Sequence, residues 1–377
     1  MRSFDVAKAW EILVPAGMPA AQKVGNDLSR CIALLRRQTG LAEQPCPVKN
    51  SDVSMPDDTV PIVVLSAEAG ERERNGFSWR IGKERIELYG ESDRGLCNAV
   101  FDFLAALGFR WPKPDEEVLP ESNSGYHIAE EYAYQPSGVD TMYRRLLFWG
   151  KDTPETWEKT IMWAARNRID AIVFSLRSQL MWNKLVKAEP ESFFFFFTKK
   201  KKPAPPSSCR DKLLELAEAY ALSIEMGGWD LSCLLPRTYY KSHEDFFRMN
   251  DGKREQAHNF CPTSSDALAV IRQEAEKVFR TYPEINVYHF WPDRGYETAW
   301  CSCPTCRAFN LEEQNRIALD TVADVLRDIK PKARISCFED SNSKKDIALR
   351  ANLFTVDRLP GNSGAEASGW FLSETKV

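Results

Sequence analysis

The sequence lacks the features that would place the protein in a membrane, outside the cell or along a nucleic acid. No apolar stretch reaches the roughly 18 residues needed to cross a bilayer, and the N-terminal MRSFDVAKAWEILVPAG has no apolar run of signal-peptide length. The 54 acidic and 50 basic side chains nearly cancel, to a net charge of −4, so no chain-wide positive field attracts nucleic acid or anionic lipid. We therefore expect a cytoplasmic protein with no nucleic-acid partner and no membrane partner.

Cysteine is also scarce. Ten cysteines in 377 residues are too few for a disulfide scaffold and fit a reducing compartment. Only Cys301, Cys303 and Cys306 lie close together in the sequence. With 43% hydrophobic and 28% charged residues, the rest of the composition is that of a globular protein. Its eleven tryptophans suit sugar stacking and equally suit a large core.

Residues 1–120 show the pattern of a small α/β domain. Helical periodicity over 20–38 and 94–107 predicts two amphipathic helices, and short β-branched or alternating runs between them predict strands, including a hairpin within 77–90. Residues 112–138 are rich in Pro, Glu, Ser and Asn without any period, so we assign residues 121–138 to a linker.

From residue 139 the chain repeats a strand followed by a helix. The strands are predicted at 142–149, 171–176, 221–226, 286–291 and 333–338. This alternation predicts parallel strands, in either a doubly wound sheet or a (β/α)₈ barrel. A low-complexity run at 192–208 is expected to be an insertion after the second strand. Only one more strand, at 353–356, is evident after residue 338, so a barrel over 139–377 is expected to be incomplete at its C-terminus and to leave an open edge.

Four segments resemble known carbohydrate-active proteins. The segment WRIGKERIELYGESDRGLCNAVFDFLAALGFRWPKPDEEVLP is similar to the α/β domain that precedes the barrel in α-glucuronidases and related hexosaminidase-like enzymes. The segments GGWDLSCLLP, DGKREQAHNFCPT and FWPDRGYETAWCSCPTCRAFNLEEQNRIA resemble a bacterial, glycoside-hydrolase-like family (domain of unknown function 4838). The resemblance implies a small α/β N-terminal domain followed by a TIM-type barrel that acts on carbohydrate. The family pattern has His where Trp229 stands.

Candidate catalytic residues are sought at the carboxyl ends of the strands, where barrel enzymes place their sites. Asp293 follows the strand at 286–291 and is the first choice for one of the two carboxyl groups that glycoside hydrolysis requires. Glu339, directly after the next strand, is favoured as the second because neighbouring strand ends lie side by side. Glu297 and Asp230 are the alternatives.

Several strand-end residues suit substrate binding. Trp229 offers a face for stacking on a pyranose ring, and Arg144 with its neighbour Arg145 offers a partner for a uronate carboxylate. Each candidate also has a structural interpretation: the tryptophans as core residues, the arginines as surface residues, and the histidine as a core residue whose hydrogen bonds are made within the protein. The full set of candidates is Arg144, Trp229, Asp230, His289, Trp291 and Arg294.

The cysteine cluster is a candidate metal site. Cys301, Cys303 and Cys306 could bind one face of a tetrahedral Zn²⁺, with Cys261 or His258 as a fourth ligand. The alternative is that these thiols simply pack or form a local bridge. We expect no cofactor, and a structural zinc in this cluster is the one exception that the sequence leaves open.

These observations favour a glycoside-hydrolase-like protein with a carbohydrate substrate. The principal alternative is a sugar-binding or structural module that keeps the scaffold without turnover, which the Trp229 departure and the short barrel favour. A zinc-dependent hydrolase built on the cysteine cluster is disfavoured, because thiolates from all sides close a metal site to substrate.

Overall fold

A computed structural model describes residues 2–51, 62–67, 76–83, 85–121, 126–134, 144–148, 153–178, 207–293, 300–338, 353–358 and 369–375. Three of the candidate site residues, Arg294, Glu297 and Glu339, lie outside these ranges, as does the low-complexity run up to residue 206.

The described residues form a mixed α/β structure. Its α-helices are α1 (Pro19–Gln38), α2 (Asp93–Ala106), α3 (Pro154–Arg166), α4 (Ser207–Ala219), α5 (Ser265–Thr281) and α6 (Leu311–Ile329). The first ten strands are β1 (Arg2–Phe4), β2 (Glu11–Pro15), β3 (Val48–Ser51), β4 (Ile62–Ala67), β5 (Phe77–Ile81), β6 (Arg85–Gly90), β7 (Arg110–Lys113), β8 (Glu116–Val118), β9 (Tyr126–Ile128) and β10 (Glu131–Tyr134). The later strands are β11 (Arg145–Phe148), β12 (Ala171–Phe174), β13 (Ser223–Gly228), β14 (Met249–Asn250), β15 (Lys253–Arg254), β16 (Val287–Phe290), β17 (Arg334–Phe338), β18 (Leu353–Arg358) and β19 (Gly369–Thr375).

The N-terminal part is a six-stranded sheet with the order β10-β5-β6-β4-β2-β3. Strands β2, β3, β4 and β6 are parallel, whereas β5 and β6 form the expected antiparallel hairpin. Helix α2 begins where the Ser92 hydroxyl accepts a hydrogen bond from the Gly95 N–H, and its apolar residues are buried. The helices and the hairpin agree with the sequence pattern.

The range assigned to a linker contains two strands of this N-terminal part. Strand β9 pairs with β1, and β10 pairs with β5 at the edge of the sheet, both antiparallel. Strands of three or four residues are too short to show a period of two, so the sequence pattern missed them. Residues 126–134 are therefore tied to the N-terminal sheets by backbone hydrogen bonds.

Seven later strands form a closed ring, in the order β11-β12-β13-β16-β17-β18-β19. The first six are parallel, and α3, α4, α5 and α6 connect successive strands from β11 to β17. Strand β19 runs antiparallel to both β18 and β11 and joins the two ends of the sheet. The expected open edge is therefore corrected. The sequence after residue 338 is too short for further strand–helix units, which is why an open edge was expected. An antiparallel strand needs no helical crossover, so β19 can close the ring directly.

The sheet of the N-terminal part and the ring of strands are packed together through helices. Helix α1 contacts α4 and helix α2 contacts α3, and one continuous apolar core includes residues of both parts. The Tyr220 hydroxyl donates to Asp27 Oδ2 at 2.7 Å, and the buried Arg94 lies 3.8 Å from Asp170. Trp163 Nε1 donates to the backbone carbonyl of Trp111 at 2.8 Å. No α-helix among the described residues is long and apolar enough to cross a membrane.

Candidate functional site

A polar network fills part of the interior of the ring. Arg145 on β11 contacts Glu225 on β13, with Nε 2.8 Å from Oε2. The same carboxylate oxygen is 2.7 Å from His289 Nε2 on β16, and His289 Nδ1 is 2.6 Å from Ser336 Oγ on β17. Because side chains alternate along a strand, these four residues point to the same side of the sheet. All four are buried.

Burial and charge set the protonation of this network. Burial alone would raise the pKa of Glu225, but the charge of Arg145 and the hydrogen bond from His289 hold that pKa below its ordinary value. Burial lowers the pKa of His289, so the imidazole is neutral at neutral pH. A neutral imidazole that donates from Nε2 to the carboxylate accepts the Ser336 hydroxyl proton at Nδ1. The network thus holds one ion pair and one neutral histidine.

This arrangement changes the interpretation of His289 and Arg145. Both side chains are enclosed, and both ring nitrogens of His289 and Nε of Arg145 are hydrogen-bonded within the ring. Both residues lie beneath the strand ends, so their burial disfavours the predicted contacts of His289 with sugar and of Arg145 with a uronate.

Aromatic side chains cover the network toward the carboxyl ends of the strands. Trp291 donates from Nε1 to Ser336 Oγ at 2.9 Å and is completely buried. Trp229 meets it edge to face, with ring centroids 5.0 Å apart, and also lies against Phe338. Trp229 is only half-buried. Of the two predicted stacking residues, Trp229 can therefore contact a sugar, whereas Trp291 forms the layer beneath it.

Two glycines at the end of β13 determine the backbone path that places Trp229 and Asp230 at this end of the ring. Gly227 and Gly228 have φ angles of +122° and +133°, which side chains other than hydrogen rarely allow. A Cβ on Gly227 would lie 1.8 Å from the carbonyl oxygen of His289. The glycine pair thus lets β13 approach β16 closely and turn as it leaves the sheet.

Asp230 is enclosed at the strand ends. Its carboxylate accepts hydrogen bonds from the Ser175 hydroxyl at 2.9 Å and from the Leu176 N–H at 2.8 Å. Arg177 Nε lies 3.3 Å from the same carboxylate. Burial raises the pKa of Asp230 above its ordinary value despite these contacts. With only 2% of the residue exposed, Asp230 joins β12 to β13 and is the less accessible of the carboxylates at this end of the ring.

Asp293 is the more accessible carboxylate. It follows β16, and 14% of its side chain is exposed, compared with 3% for Asp230. Its Oδ1 is 3.5 Å from Arg177 Nη2, and its backbone N–H donates to the buried Asn259 at 3.2 Å. Arg177 also donates from Nη2 to the carbonyl of Trp229 at 3.2 Å. One guanidinium therefore connects the ends of three neighbouring strands.

Arg177 and Asn259 were missed in the sequence. Arg177 lies three residues beyond β12, so a search of every strand end for polar residues would have found it. Asn259 lies in the long connection between β13 and α5, where the sequence gives no periodicity to locate it. Arg144 is the converse case. Its carbonyl and N–H bond to Asp170 just before β11, which places it at the amino end of that strand, away from Asp293.

The cysteine cluster assembles from two connections. The sulfur atoms of Cys261, Cys301, Cys303 and Cys306 lie within 4.8 Å of one another, and all four residues are buried. Of the two proposed fourth members, the structure brings in Cys261, whereas His258 is exposed. The thiols are free. This group could hold a metal ion.

A shallow groove also lies on the N-terminal sheet, lined by Arg80, Ile81, Gly82, Lys83, Arg85, Glu87, Glu130 and Glu131. Its charges neutralise one another, as in the 2.9 Å pair of Arg80 with Glu87. It carries no aromatic stacking face and is not at the strand ends of the ring, so it is not favoured as the sugar site.

The solved structures to which the chain is similar include several GH20 enzymes. The chain is similar to the Flavobacterium johnsoniae chitobiase FjGH20, with TM-score 0.56 and 12% identity over 94% of this chain and 52% of that chain. A GH20 β-N-acetylhexosaminidase from Streptomyces coelicolor gives TM-score 0.54 and 12% identity, over 91% and 67%. A GH20 exo-β-N-acetylglucosaminidase from Vibrio harveyi, in complex with N-acetylglucosamine, gives 0.52 and 12%, over 95% and 55%.

The chain thus spans between 52% and 67% of the length of these proteins. No protein-family model matches the chain, and no curated protein matches it in sequence. At 12% identity the likeness concerns the fold alone. The chain has a glycoside-hydrolase-like fold.

Proposed function

We propose that this protein acts on carbohydrate by hydrolysing a glycosidic bond at the carboxyl ends of the ring strands. The observation that carries the proposal is the position of Asp293, a partly exposed carboxylate at the end of β16. Arg177 orients it. The half-buried Trp229 comes directly after β13, the strand next to β16 in the ring. A carboxylate beside an aromatic face is what a sugar site at a barrel mouth requires.

Glu339 is proposed as the second carboxyl group. It directly follows β17, which ends at Phe338 and pairs with β16, the strand that leads to Asp293. The residue itself lies outside the described ranges. Asp230 is the weaker alternative, since its carboxylate is enclosed by Ser175, Leu176 and Arg177.

The contacts of Asp293 suggest how the two groups divide the reaction. An ion pair with Arg177 uses the ionised carboxylate, which is the form that a general base or a nucleophile needs. The proton for the leaving oxygen would then come from Glu339. Depending on whether the carboxyl groups lie about 5 Å or about 6.5 to 9.5 Å apart, the reaction would retain or invert the anomeric configuration.

Several fold neighbours suggest the first substrates to test. A Vibrio harveyi structure holds N-acetylglucosamine, and an Asp-to-Ala variant of the Vibrio enzyme is described as inactive. A panel of aryl glycosides should therefore begin with the β-N-acetylglucosaminide and include a glucuronide, which the resemblance to α-glucuronidases suggests.

The test is turnover of this panel by the wild type, Asp293→Asn and Asp251→Asn. Loss of a catalytic carboxylate lowers kcat by orders of magnitude while the amide keeps its shape, so we expect at least a hundredfold loss in Asp293→Asn. Asp251 is an exposed residue at φ +47°, a conformation that Asn accepts, and its variant should keep wild-type rates. Equal turnover by Asp293→Asn and wild type would refute the assignment.

One observation favours a second function, sugar binding without hydrolysis. Arg177 engages both Asp230 and Asp293, and of these two described carboxylates only Asp293 is appreciably exposed, whereas hydrolysis needs two carboxyl groups that reach the substrate. Calorimetric titration of the same sugars distinguishes the functions. A sugar that binds the wild type, loses affinity on Trp229→Ala and is never cleaved would identify a binding module.

A further inference from the structure

Four cysteine thiols converge from two connections of the ring. Cys301, Cys303 and Cys306 lie in the connection between β16 and α6, and Cys261 lies in the connection between β13 and α5. The Cys261 sulfur is 3.8 Å from that of Cys303 and 3.6 Å from that of Cys306. Together with the 4.8 Å limit on all pairs, these distances describe a compact group of four sulfur atoms.

The spacing distinguishes between the chemistries open to four thiols. A disulfide would bring two sulfur atoms to about 2.05 Å, far closer than these. Four thiolates at about 2.3 Å from a tetrahedral Zn²⁺ stand about 3.8 Å from one another, by the geometry of the tetrahedron. The two distances agree with that edge length. Thiols in van der Waals contact stand at a similar separation, so the convergence of four buried sulfur atoms from two connections, rather than any one distance, favours a metal.

We propose that Cys261, Cys301, Cys303 and Cys306 bind one structural Zn²⁺. Sulfur occupies all four positions, so water and substrate have no open coordination position and the metal is not catalytic. The proposal is independent of the hydrolase function. Binding requires four thiolates, so the thiol protons pass to solvent as the metal enters.

Neighbouring groups supply donors to the sulfur atoms. The Met249 N–H donates to Cys301 Sγ at 3.2 Å, and the Thr263 hydroxyl lies 3.1 Å from Cys306 Sγ. The Arg254 guanidinium is 3.7 Å from Cys301 Sγ. Four thiolates and Zn²⁺ together carry a charge of −2, which these donors and the guanidinium stabilise. Such partners are expected of a metal site and would be unnecessary for apolar thiol packing.

The position of the cluster gives the metal a structural task at the candidate site. Cys261 lies two residues after Asn259, the residue that accepts the backbone N–H of Asp293. Asp293 in turn begins the connection that contains the other three cysteines. The metal would therefore anchor the segment that carries Asn259, next to its hydrogen bond with Asp293. Its loss should loosen this end of the ring more than the N-terminal sheet.

The first test measures metal content in the full chain, purified without chelator, for wild type, Cys303→Ser and Cys97→Ser. We expect about one zinc per wild-type chain, loss of at least tenfold in Cys303→Ser, and full retention in Cys97→Ser. Cys97 is the matched control because it is a buried free cysteine in α2, outside the cluster. Zinc-free wild type that also fails to take up added Zn²⁺, bound iron in place of zinc, or equal zinc in both variants would overturn the proposal.

A second measurement covers the case in which Cys303→Ser does not fold. Wild-type protein is stripped with a chelator and reloaded with Co²⁺, whose absorption reports its ligands. Thiolate charge-transfer bands and the intense visible bands of tetrahedral Co²⁺ are expected, with Zn²⁺ but not Mg²⁺ displacing them. The weak spectrum of six-coordinate Co²⁺ would reject a four-thiolate site.

Discussion

Arg145 and Glu225 form a buried ion pair across the inside of the ring, with Nε and Oε2 2.8 Å apart and side chains 3% and 0% exposed. The guanidinium also lies over the Phe354 ring, 5.1 Å from its centroid. Strand β12 separates β11 from β13 in the ring, so the pair bridges one strand. The pair and His289 lie beneath Trp291, which meets His289 edge to face, and Trp229 meets Trp291 edge to face in turn.

Glu225→Gln is expected to lower the free energy of unfolding by about 3 to 5 kcal/mol, because it leaves the charge of Arg145 buried without its carboxylate. Urea denaturation of the full chain measures the change. Glu11→Gln is the control, since Glu11 pairs with Lys49 near the surface and its loss should cost less than about 1 kcal/mol. Similar losses of unfolding free energy in the two variants would show that the buried Arg145–Glu225 pair contributes no more to stability than a surface pair.

The pH dependence of stability should report His289. Its pKa in the folded protein lies below the ordinary 6.5, so below that pH the unfolded chain takes up a proton that the folded chain resists. The free energy of unfolding should therefore fall as the pH drops through about 6.5. His289→Gln should flatten this slope between about pH 7.5 and 5.5. An unchanged slope in the variant would contradict the assignment.

Much of the fold was predictable because its helices are amphipathic. The repeat of strand and helix from β11 to β17 was visible, since α3, α5 and α6 each bury one face against the ring. Strand β19 was not predicted, because an antiparallel strand without a following helix does not continue that repeat. The closure of the ring depends on pairing between residues far apart in sequence, and no local pattern specifies it.

The candidate site was predictable only in part. Asp293 and Trp229 could be named because each directly follows a strand. The buried role of His289 could not, because it depends on Glu225 and Ser336 from two other strands. The sequence also could not show that Cys261 rather than His258 joins the other three cysteines. The two residues are close in sequence, and only the path of the backbone between β13 and α5 determines which one faces the cluster.

Gly227→Ala should prevent normal folding of the ring. The new Cβ would lie 1.8 Å from the carbonyl oxygen of His289, and backbone cannot move aside as a flexible side chain can. Gly252→Ala is the matched control, because it also has a positive φ, +79°, but no atom within 4 Å of the added Cβ. Its cost should be strain alone, about 1 to 2 kcal/mol. Equal thermal stability of the two variants would show that β13 and β16 can separate.

Arg177→Lys should impair the site more than the fold. Lysine keeps the charge, but it cannot reach Asp230, Asp293 and the Trp229 carbonyl with separate nitrogen atoms in a fixed plane. We expect at least a tenfold loss of sugar affinity or turnover. The free energy of unfolding should change by less than about 2 kcal/mol, because Arg177 is half-buried and its partners keep other contacts.

Arg237→Lys is the control for Arg177→Lys. Arg237 belongs to the same connection as Asn259, and its guanidinium contacts the Phe247 ring and the backbone carbonyl of His258. Its variant should keep wild-type affinity. If the two substitutions affect sugar binding equally, the guanidinium of Arg177 does not organise the three strand ends. If only Arg177→Lys weakens sugar binding, and Asp293→Asn loses more turnover than Arg177→Lys, then Arg177 is a positioning residue and Asp293 is the group that it positions.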